Sequence, residues 1–368
     1  MKILFVVGNL SSDGGTERVT CEIASGLARS GHEVMIASLF GPATSSFALE
    51  DSITTCCLNL KEARGGARRS LGISSALLTK VRHQQADVVV LVDSILFAFC
   101  APWASFQRAR IICWEHFNLA TDHGSRLRSV GRSTAVRLAD AIVVLTERDA
   151  EAWRARYRIR DKVGAIWNPV PHFPKPSEED AASRTVLAVG RLTEQKGFDV
   201  LLNAWHKVVS VHPDWRLRIV GWGEDENDLK AQAWTLGLSD SVVFVGRTSQ
   251  VEKEYQRAAL YVMSSRWEGL PMTLLEAQSF GLPVVSTDCE TGPAEILAGG
   301  SGVLVDVEDD EALAREIRDL ITDEARRSEM SLLARDNAAR FDADTLCGEW
   351  QQLLERLTSG RTRITDAS

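Results

Sequence analysis

One alternation constrains this chain more than any other feature: a short apolar, β-branched run followed by an amphipathic helical stretch, repeated. ILFVV (3–7) precedes an amphipathic segment at 16–30 that stops at Gly31, and EVMIASL (33–39) follows it. DVVVLV (87–92) and RIICW (110–114) come next, and a helix over 125–139 leads into DAIVVLT (140–146). Strands apolar on both faces do not suit a sheet with one wet side. They suit a parallel sheet covered by helices above and below, built from right-handed βαβ units. The fold class is α/β.

The pattern breaks at NPVPHFPKPSEED (168–180), where four prolines and a run of charges read as a linker. It then restarts. TVLAVG (185–190), RLRIVG (216–221), SVVFVG (241–246), LYVMSS (260–265), PVVST (283–287) and GVLVD (302–306) read as strands, with helices at 197–211, 225–236, 309–322 and 324–340. A last amphipathic segment, 343–357, ends in a polar tail, 358–368, expected to be flexible. The chain of 368 residues thus reads as two α/β domains, 1–170 and 171–342. A ligand is expected at the carboxyl ends of the strands, in a cleft between the domains.

Charge and cysteine narrow the classes. The net charge of −8 argues against a dedicated nucleic-acid binder. The balance is uneven: residues 1–170 carry 21 Lys/Arg against 16 Asp/Glu, and the remainder carries 21 against 34. A basic front half on an acidic chain suggests a surface that meets something anionic. Seven cysteines without a CxxC spacing indicate neither a disulfide framework nor a structural zinc site. MKILFVVGNL lacks the features of a signal peptide. The most membrane-like stretch, 88–104, contains Asp93 and reads better as a strand running into a buried helix. A soluble, cytoplasmic protein is expected.

Several segments carry chemistry. Gly190 ends a strand, and Arg191 and Lys196 follow, two cations placed to hold an anion such as a pyrophosphate. In SSRWEGLPMTLLEAQSFGLPVVS (264–286), Glu268 and Glu276 are separated by seven residues. Pro271 suits the first helical position, so a helix is expected to start near Leu270, with the amides of Met272 and Thr273 able to face a phosphate. Glu276 then lies about one turn into the helix, and Glu268 in the loop before it. Gly14 and Gly15 sit between the first strand and the first helix, where backbone amides can approach a ligand. His116 ends a strand in WEHF, with His123 as a competitor. The dinucleotide fingerprint, the Walker A loop and the GxSxG elbow are all absent. Asp342-Ala343-Asp344 and Glu224-Asp225-Glu226 read as acidic residues opening helices rather than metal ligands, and no metal is predicted.

Together these segments resemble the family 4 glycosyltransferases, retaining enzymes of the GT-B fold, over nearly the whole chain. The resemblance rests on GNLSSDGGTERVTCEIASGLARSGHEV, VGRLTEQKGFDVLLNAW, VGWGEDENDL, TGPAEIL and above all the E-x7-E segment, which looks most like bacterial members that build surface polysaccharide, lipopolysaccharide or lipid-linked oligosaccharide. It implies two Rossmann-like domains facing a central cleft, the first binding the acceptor and the second the nucleotide sugar, with 343–357 crossing back to pack on the first. It implies that Arg191 and Lys196 bind the donor diphosphate with the amides from Leu270 to Thr273, and that Glu276 holds the ribose hydroxyls. Glu268 and His116 would contact the sugar. Gly190 would sit beside the donor, Gly246, Arg247 and Thr248 would touch the base, and Gly14 and Gly15 would lie beside phosphates or acceptor. One departure is Asn168-Pro169, where relatives carry Asn-Gly. The expected reaction is metal-independent transfer from a nucleotide sugar, most readily a UDP sugar, to a glycan or lipid-linked oligosaccharide. Alternatives are a UDP-sugar 2-epimerase of the same fold and a non-catalytic sugar-nucleotide scaffold. No cofactor is expected. Acceptor contacts are expected from loops 40–70 and 115–130. Arg64, Arg68, Arg69 and Arg82, near a loop, and Arg126, Arg128, Arg132 and Arg137, on one helix, suggest peripheral contact with an anionic membrane.

Overall fold

The computed structural model describes residues 1–58, 60, 67–99, 108–120, 125–170 and 183–359. The chain divides into two compact units, Met1–Pro169 with the segment from Ala343, and Val170–Asp342.

The first unit is built from β1 (Lys2–Val7), α1 (Gly15–Arg29), β2 (Glu33–Ser38), β3 (Thr54–Cys57), α2 (Ala67–Gln84), β4 (Val88–Val92), β5 (Arg110–Trp114), α3 (Arg126–Leu138), β6 (Ala141–Val144), α4 (Glu147–Tyr157) and β7 (Val163–Ala165). Its strands form one parallel sheet in the order β3-β2-β1-β4-β5-β6-β7. β4 is buried along its whole length and β1 from its second residue on, as all-apolar strands between two helical layers must be.

The second unit runs β8 (Thr185–Val189), α5 (Phe198–Val209), β9 (Arg216–Val220), α6 (Glu226–Thr235), β10 (Val242–Gly246), α7 (Val251–Gln256), β11 (Leu260–Met263), α8 (Met272–Ser279), β12 (Val284–Thr287), α9 (Pro293–Ile296), β13 (Gly302–Val305), α10 (Asp310–Thr322) and α11 (Glu324–Ala338). Its sheet is also parallel, in the order β10-β9-β8-β11-β12-β13. Its core gathers Trp205, Leu201 and Ile219 with Leu313 and Ile317. The last helix, α12 (Ala343–Thr358), belongs to the first unit, where Trp350 packs edge-on against Trp114 at 4.8 Å and Arg110 donates to the Leu357 carbonyl.

Where structure and expectation differ, the reasons are local. Residues 67–84 form α2 rather than a loop, so Arg82 lies in the last turn of a helix. Ile73, Leu77 and Val81, spaced one turn apart, are its buried face. α4 begins at a capping signature, Thr146 accepting from the Asp149 amide. After β4 the chain makes a 3-10 turn, Ser94–Phe99, against which α3 packs at Gly131. A β-carbon there would lie 2.1 Å from the Ser94 carbonyl oxygen, so only glycine permits the approach. α12 continues through Thr358, into what was expected to be tail. No described helix is long and apolar enough to cross a membrane.

Arg128 and Arg132 correct the basic-surface expectation. They are 5% and 3% exposed, turned inward to Asp93 and Glu115, and cannot meet a membrane. Arg126 and Arg137 on the same helix are exposed, as is Arg82 on α2. Arg64, His123 and the side chains of Arg68 and Arg69 lie outside the described residues, as do much of the proline-rich linker and parts of loops 40–70 and 115–130.

Candidate active site

The strand order of the second sheet fixes where a ligand can bind. From β8 the chain winds outward through β9 and β10, then returns to the other side of β8 to lay down β11. The switch point lies between β8 and β11, and the loops leaving their carboxyl ends meet there. Lys196 leaves the first of these strands and Glu268 the second.

Beyond β8 the chain turns through Glu194–Lys196 and enters α5 at Gly197, whose φ is +59°. A β-carbon at Gly197 would stand 2.1 Å from the Ser264 carbonyl oxygen, and the Ser264 hydroxyl donates to the Lys196 carbonyl at 2.9 Å. The two loops are thereby clasped. Lys196 Nζ reaches Glu268 Oε1 at 2.5 Å, and Ser265 Oγ donates to the same oxygen at 2.7 Å. The Thr291 hydroxyl holds the Glu268 carbonyl. Glu268 is 6% exposed. The resemblance gives Lys196 and Glu268 different ligand groups; here they are bonded to each other.

α8 starts at Met272, two residues later than expected, with Pro271 extended at the cap instead of in the first turn. Met272 and Thr273 are therefore the first two amides of the helix, with no carbonyl a turn earlier. Leu270 is buried just before them. Glu276 lies one turn on and is buried, and its Oε2 accepts from the Tyr255 hydroxyl at 2.9 Å. Tyr255, on the unanticipated α7, is wholly buried and stacks on Phe280 at 5.2 Å. Tyr261 Oη donates to Thr273 Oγ1 at 2.9 Å. Burial raises the Cys289 thiol to about 12, with Glu268 pushing the same way, which leaves it an inert thiol near neutrality.

Arg191 and Arg247 are exposed, at the ends of β8 and β10. Between them stands Trp222, half exposed, with the two guanidinium carbons 5.8 and 5.9 Å from its ring centre. The Leu192 amide donates to the Trp222 carbonyl, and the Gly221 amide to that of Gly246. Gly190 packs over the Lys196 stem. Thr248 Oγ1 accepts from the Gln250 amide at 3.0 Å, so its hydroxyl shapes its own turn. Sequence reasoning missed Trp222 and Tyr255. An aromatic between two strand-end glycines, Gly221-Trp222-Gly223, was the available signal for the first. For Tyr255 nothing local distinguished it from core.

In the first unit His116 follows β5. It is 9% exposed and tilted against Trp114 at 4.7 Å, and its Nε2 makes no hydrogen bond. Burial lowers it to about 3, with the charge of Arg128 acting the same way, so the ring is neutral near pH 7. Gly14 caps α1, but the Glu17 carboxylate covers it, 2.4 Å from where a β-carbon would stand; Gly15 is open. Among the described residues no group of three or more His, Cys, Asp or Glu is placed to hold a metal.

This arrangement, two doubly wound parallel sheets with cations, buried carboxylates and a helix start at a switch point, is that of a GT-B glycosyl-transferring enzyme. Residues 171–337 match the family described as glycosyl transferases group 1, and residues 13–172 match glycosyltransferase family 4. An uncharacterized glycosyltransferase of Haemophilus influenzae is 31% identical over 354 residues, covering 96% of this chain and 99% of its own. The amylovoran biosynthesis glycosyltransferase AmsD of Erwinia amylovora is 28% identical over 363 residues, covering 96% and 99%. The crystal structure of Anabaena HepE in complex with UDP and glucose superposes with a TM-score of 0.78 at 20% identity, over 96% of this chain and 99% of that one. The chain belongs to the group 1/family 4 glycosyltransferases.

Proposed function

We propose that this enzyme moves a hexose or N-acetylhexosamine from a UDP sugar, without a metal and with retention at the anomeric carbon, to a growing bacterial glycan or lipid-linked oligosaccharide. The observation that carries the reading is the gathering of Lys196, Glu268, Glu276 and the start of α8 at one switch point. As the glycosyl–phosphate bond breaks, negative charge grows on the leaving diphosphate and positive charge on the sugar ring. Lys196, Arg191 and the amides of Met272 and Thr273 stabilise the first more in the transition state than in the ground state. Buried Glu268 faces the second. Glu276 accepts from the ribose hydroxyls, oriented by Tyr255. Neutral His116 offers a hydrogen bond to a sugar hydroxyl without competing for charge.

The polysaccharide role of the Erwinia relative supports the acceptor class. Cytoplasmic action at an anionic membrane face, the remaining part of the reading, draws among the described side chains on Arg82, Arg126 and Arg137. The test is incubation of UDP-glucose, UDP-galactose and UDP-N-acetylglucosamine with the enzyme in EDTA, followed by NMR of the sugar released or transferred. An α-configured product from an α-linked donor is expected. Activity abolished by EDTA and restored by a divalent ion refutes metal independence. A C2-epimerised nucleotide sugar replaces transferase by epimerase, and an inverted product refutes retention.

A further inference from the structure

Arg266 of the second unit has no part in the reading above, yet its guanidinium is fully committed. It lies in the loop from β11 to α8, two residues before Glu268. A guanidinium carries five N–H groups, and contacts on three partners take them up. Nη1 and Nη2 fork onto Asp199, donating to Oδ1 at 2.9 Å and to Oδ2 at 2.8 Å. Nε donates to Glu308 Oε1, and Nη2 reaches Glu308 Oε2 at 3.4 Å. Nη1 also donates to the Glu194 carbonyl at 2.7 Å.

The partners belong to separate stretches of chain. Glu194 opens the turn that carries Lys196, Asp199 is in the first turn of α5 just beyond it, and Glu308 precedes α10. Glu308 holds a φ of +68°, a conformation that costs a non-glycine residue energy and persists where its surroundings fix it. Main-chain bonds repeat the connection. The Arg266 amide donates to the Gln195 carbonyl at 2.8 Å. Gln195 Nε2 donates back to the Trp267 carbonyl at 2.9 Å and to Glu268 Oε2 at 3.5 Å. Arg266 therefore grips the Lys196 turn on both sides, at Glu194 before it and at Asp199 after it.

These ion pairs add little to stability, because the Asp199 and Glu308 side chains are 46% and 55% exposed. What the arginine supplies is direction: a planar fork is satisfied only when its partners lie where they do. Lys196 reaches Glu268 on a flexible four-carbon stem, so the place of its ammonium depends on where the turn holds its backbone.

We propose that Arg266 is a positioning residue that locks the Glu194–Lys196 turn to the loop bearing Glu268, so that the Lys196 ammonium is held where charge develops on the leaving diphosphate. The inference rests on the reading of Lys196 given above. Arg266 spends its donors on the protein and acts through Asp199, Glu308 and the Glu194 carbonyl.

The test uses the full chain, with hydrolysis of UDP-glucose, UDP-galactose and UDP-N-acetylglucosamine as the activity and lysine labelled with 13C at Cε for NMR. R266M removes the fork, and the carboxylates it leaves can reach water, so the variant is expected to fold. Misplacing a catalytic group by about 1 Å lowers turnover on the order of 10²-fold, and R266M should lose turnover on that scale. K196A and R266M/K196A complete a cycle. Residues that act as one unit are not additive, so the double variant should be within about twofold of K196A. A purely structural role for Arg266 would multiply the two losses. The Lys196 Cε–H resonance, assigned by its absence in K196A, should move in R266M. A folded R266M enzyme with parental turnover, losses that multiply in the double variant, or an unmoved resonance overturns the proposal. If R266M does not fold, R266K, which keeps the charge without the fork, decides on the same readouts. If K196A turns over like the parent, or no donor is hydrolysed, the reading of Lys196 falls instead, and the resonance in R266M alone decides whether Arg266 places the ammonium.

Discussion

Lys196→Ala is the sharpest perturbation of the switch-point site. It strips the nearest cation from Glu268, whose side chain is 6% exposed against 17% for the lysine, across a contact of 2.5 Å. Orphaning a fully buried charge costs about 3–5 kcal/mol. Two features reduce that figure here. The lysine is partly solvated, and the Ser265 hydroxyl, at 2.7 Å, continues to donate to the same carboxylate oxygen. A hydrogen bond to a charged group contributes about 1.5–3 kcal/mol. We therefore expect a loss of about 2–3 kcal/mol. At about 2–4 °C per kcal/mol for a domain of this size, that lowers the melting midpoint by about 4–12 °C. Glu268→Gln should lose less, because the lysine it leaves can reach water. The double variant should lose less than the two singles added together. Chemical denaturation of all four proteins closes the cycle, with a coupling expected between about 1 and 3 kcal/mol. In turnover, deletion of the ammonium should cost about 10²–10³-fold, the scale of losing one fixed donor at a developing anion. A coupling under about 0.5 kcal/mol would mean that the pair is not formed in solution, and the site would have to be redrawn.

Three further outcomes follow from single contacts. Gly131→Ala forces a β-carbon against the Ser94 carbonyl and should destabilise by about 1–3 kcal/mol or more in urea titration; unchanged stability would deny the close approach of α3. Tyr255→Phe removes the hydroxyl that orients Glu276, which should cost about 1 kcal/mol and raise donor KM about fivefold with turnover preserved, read by steady-state kinetics. The His116 ring takes a proton near 3 when folded and near about 6.5 when unfolded. Between those values the unfolded chain binds more protons, so the folded state gains stability as pH rises. Going from pH 7 to pH 5 should cost about 2 kcal/mol through this group, and His116→Gln should remove that part of the slope in denaturation curves at the two pH values.

Much of this architecture was legible because strand and helix runs carry their burial in their spelling. VVVLV and RIICW can only be strands buried on both faces, and the two sheets follow from their recurrence. The short elements were not legible. β3 is four residues at a sheet edge, the first exposed and the other three half-buried, and α7 is six residues opening on Val251 without a side-chain cap. Pro271 was placed one position too far into its helix, because a proline tolerated in the first turn is tolerated equally well at the cap. The greatest misreading concerned arginine. Arg126, Arg128, Arg132 and Arg137 look alike on a helix, and only tertiary structure separates the two that face solvent from the two that face Asp93 and Glu115. A basic residue four positions from another, with an unpaired Glu next to a strand-end histidine, was the available signal. Periodicity alone does not say which face of a polar helix is inside.

The two units treat charge in opposite ways, and this separates their chemical parts. In the second unit, Lys196 and Glu268 form an ion pair in which the cation retains some exposure, so an incoming anion can compete for the ammonium. In the first unit, the charges near His116 are satisfied internally: Arg132 spends its donors on Glu115 and on loop carbonyls. Glu115, Asp93 and Asp149 surround the two guanidiniums there, and burial first, with the charge of Arg128 second, keeps the imidazole neutral. The buried arginines are therefore scaffolding for loop 115–119 rather than anion binders. Replacing Glu115 alone, which strands the Arg132 guanidinium without its carboxylate while Arg128 keeps Asp93, should destabilise the enzyme more than replacing Glu115 and Arg132 together.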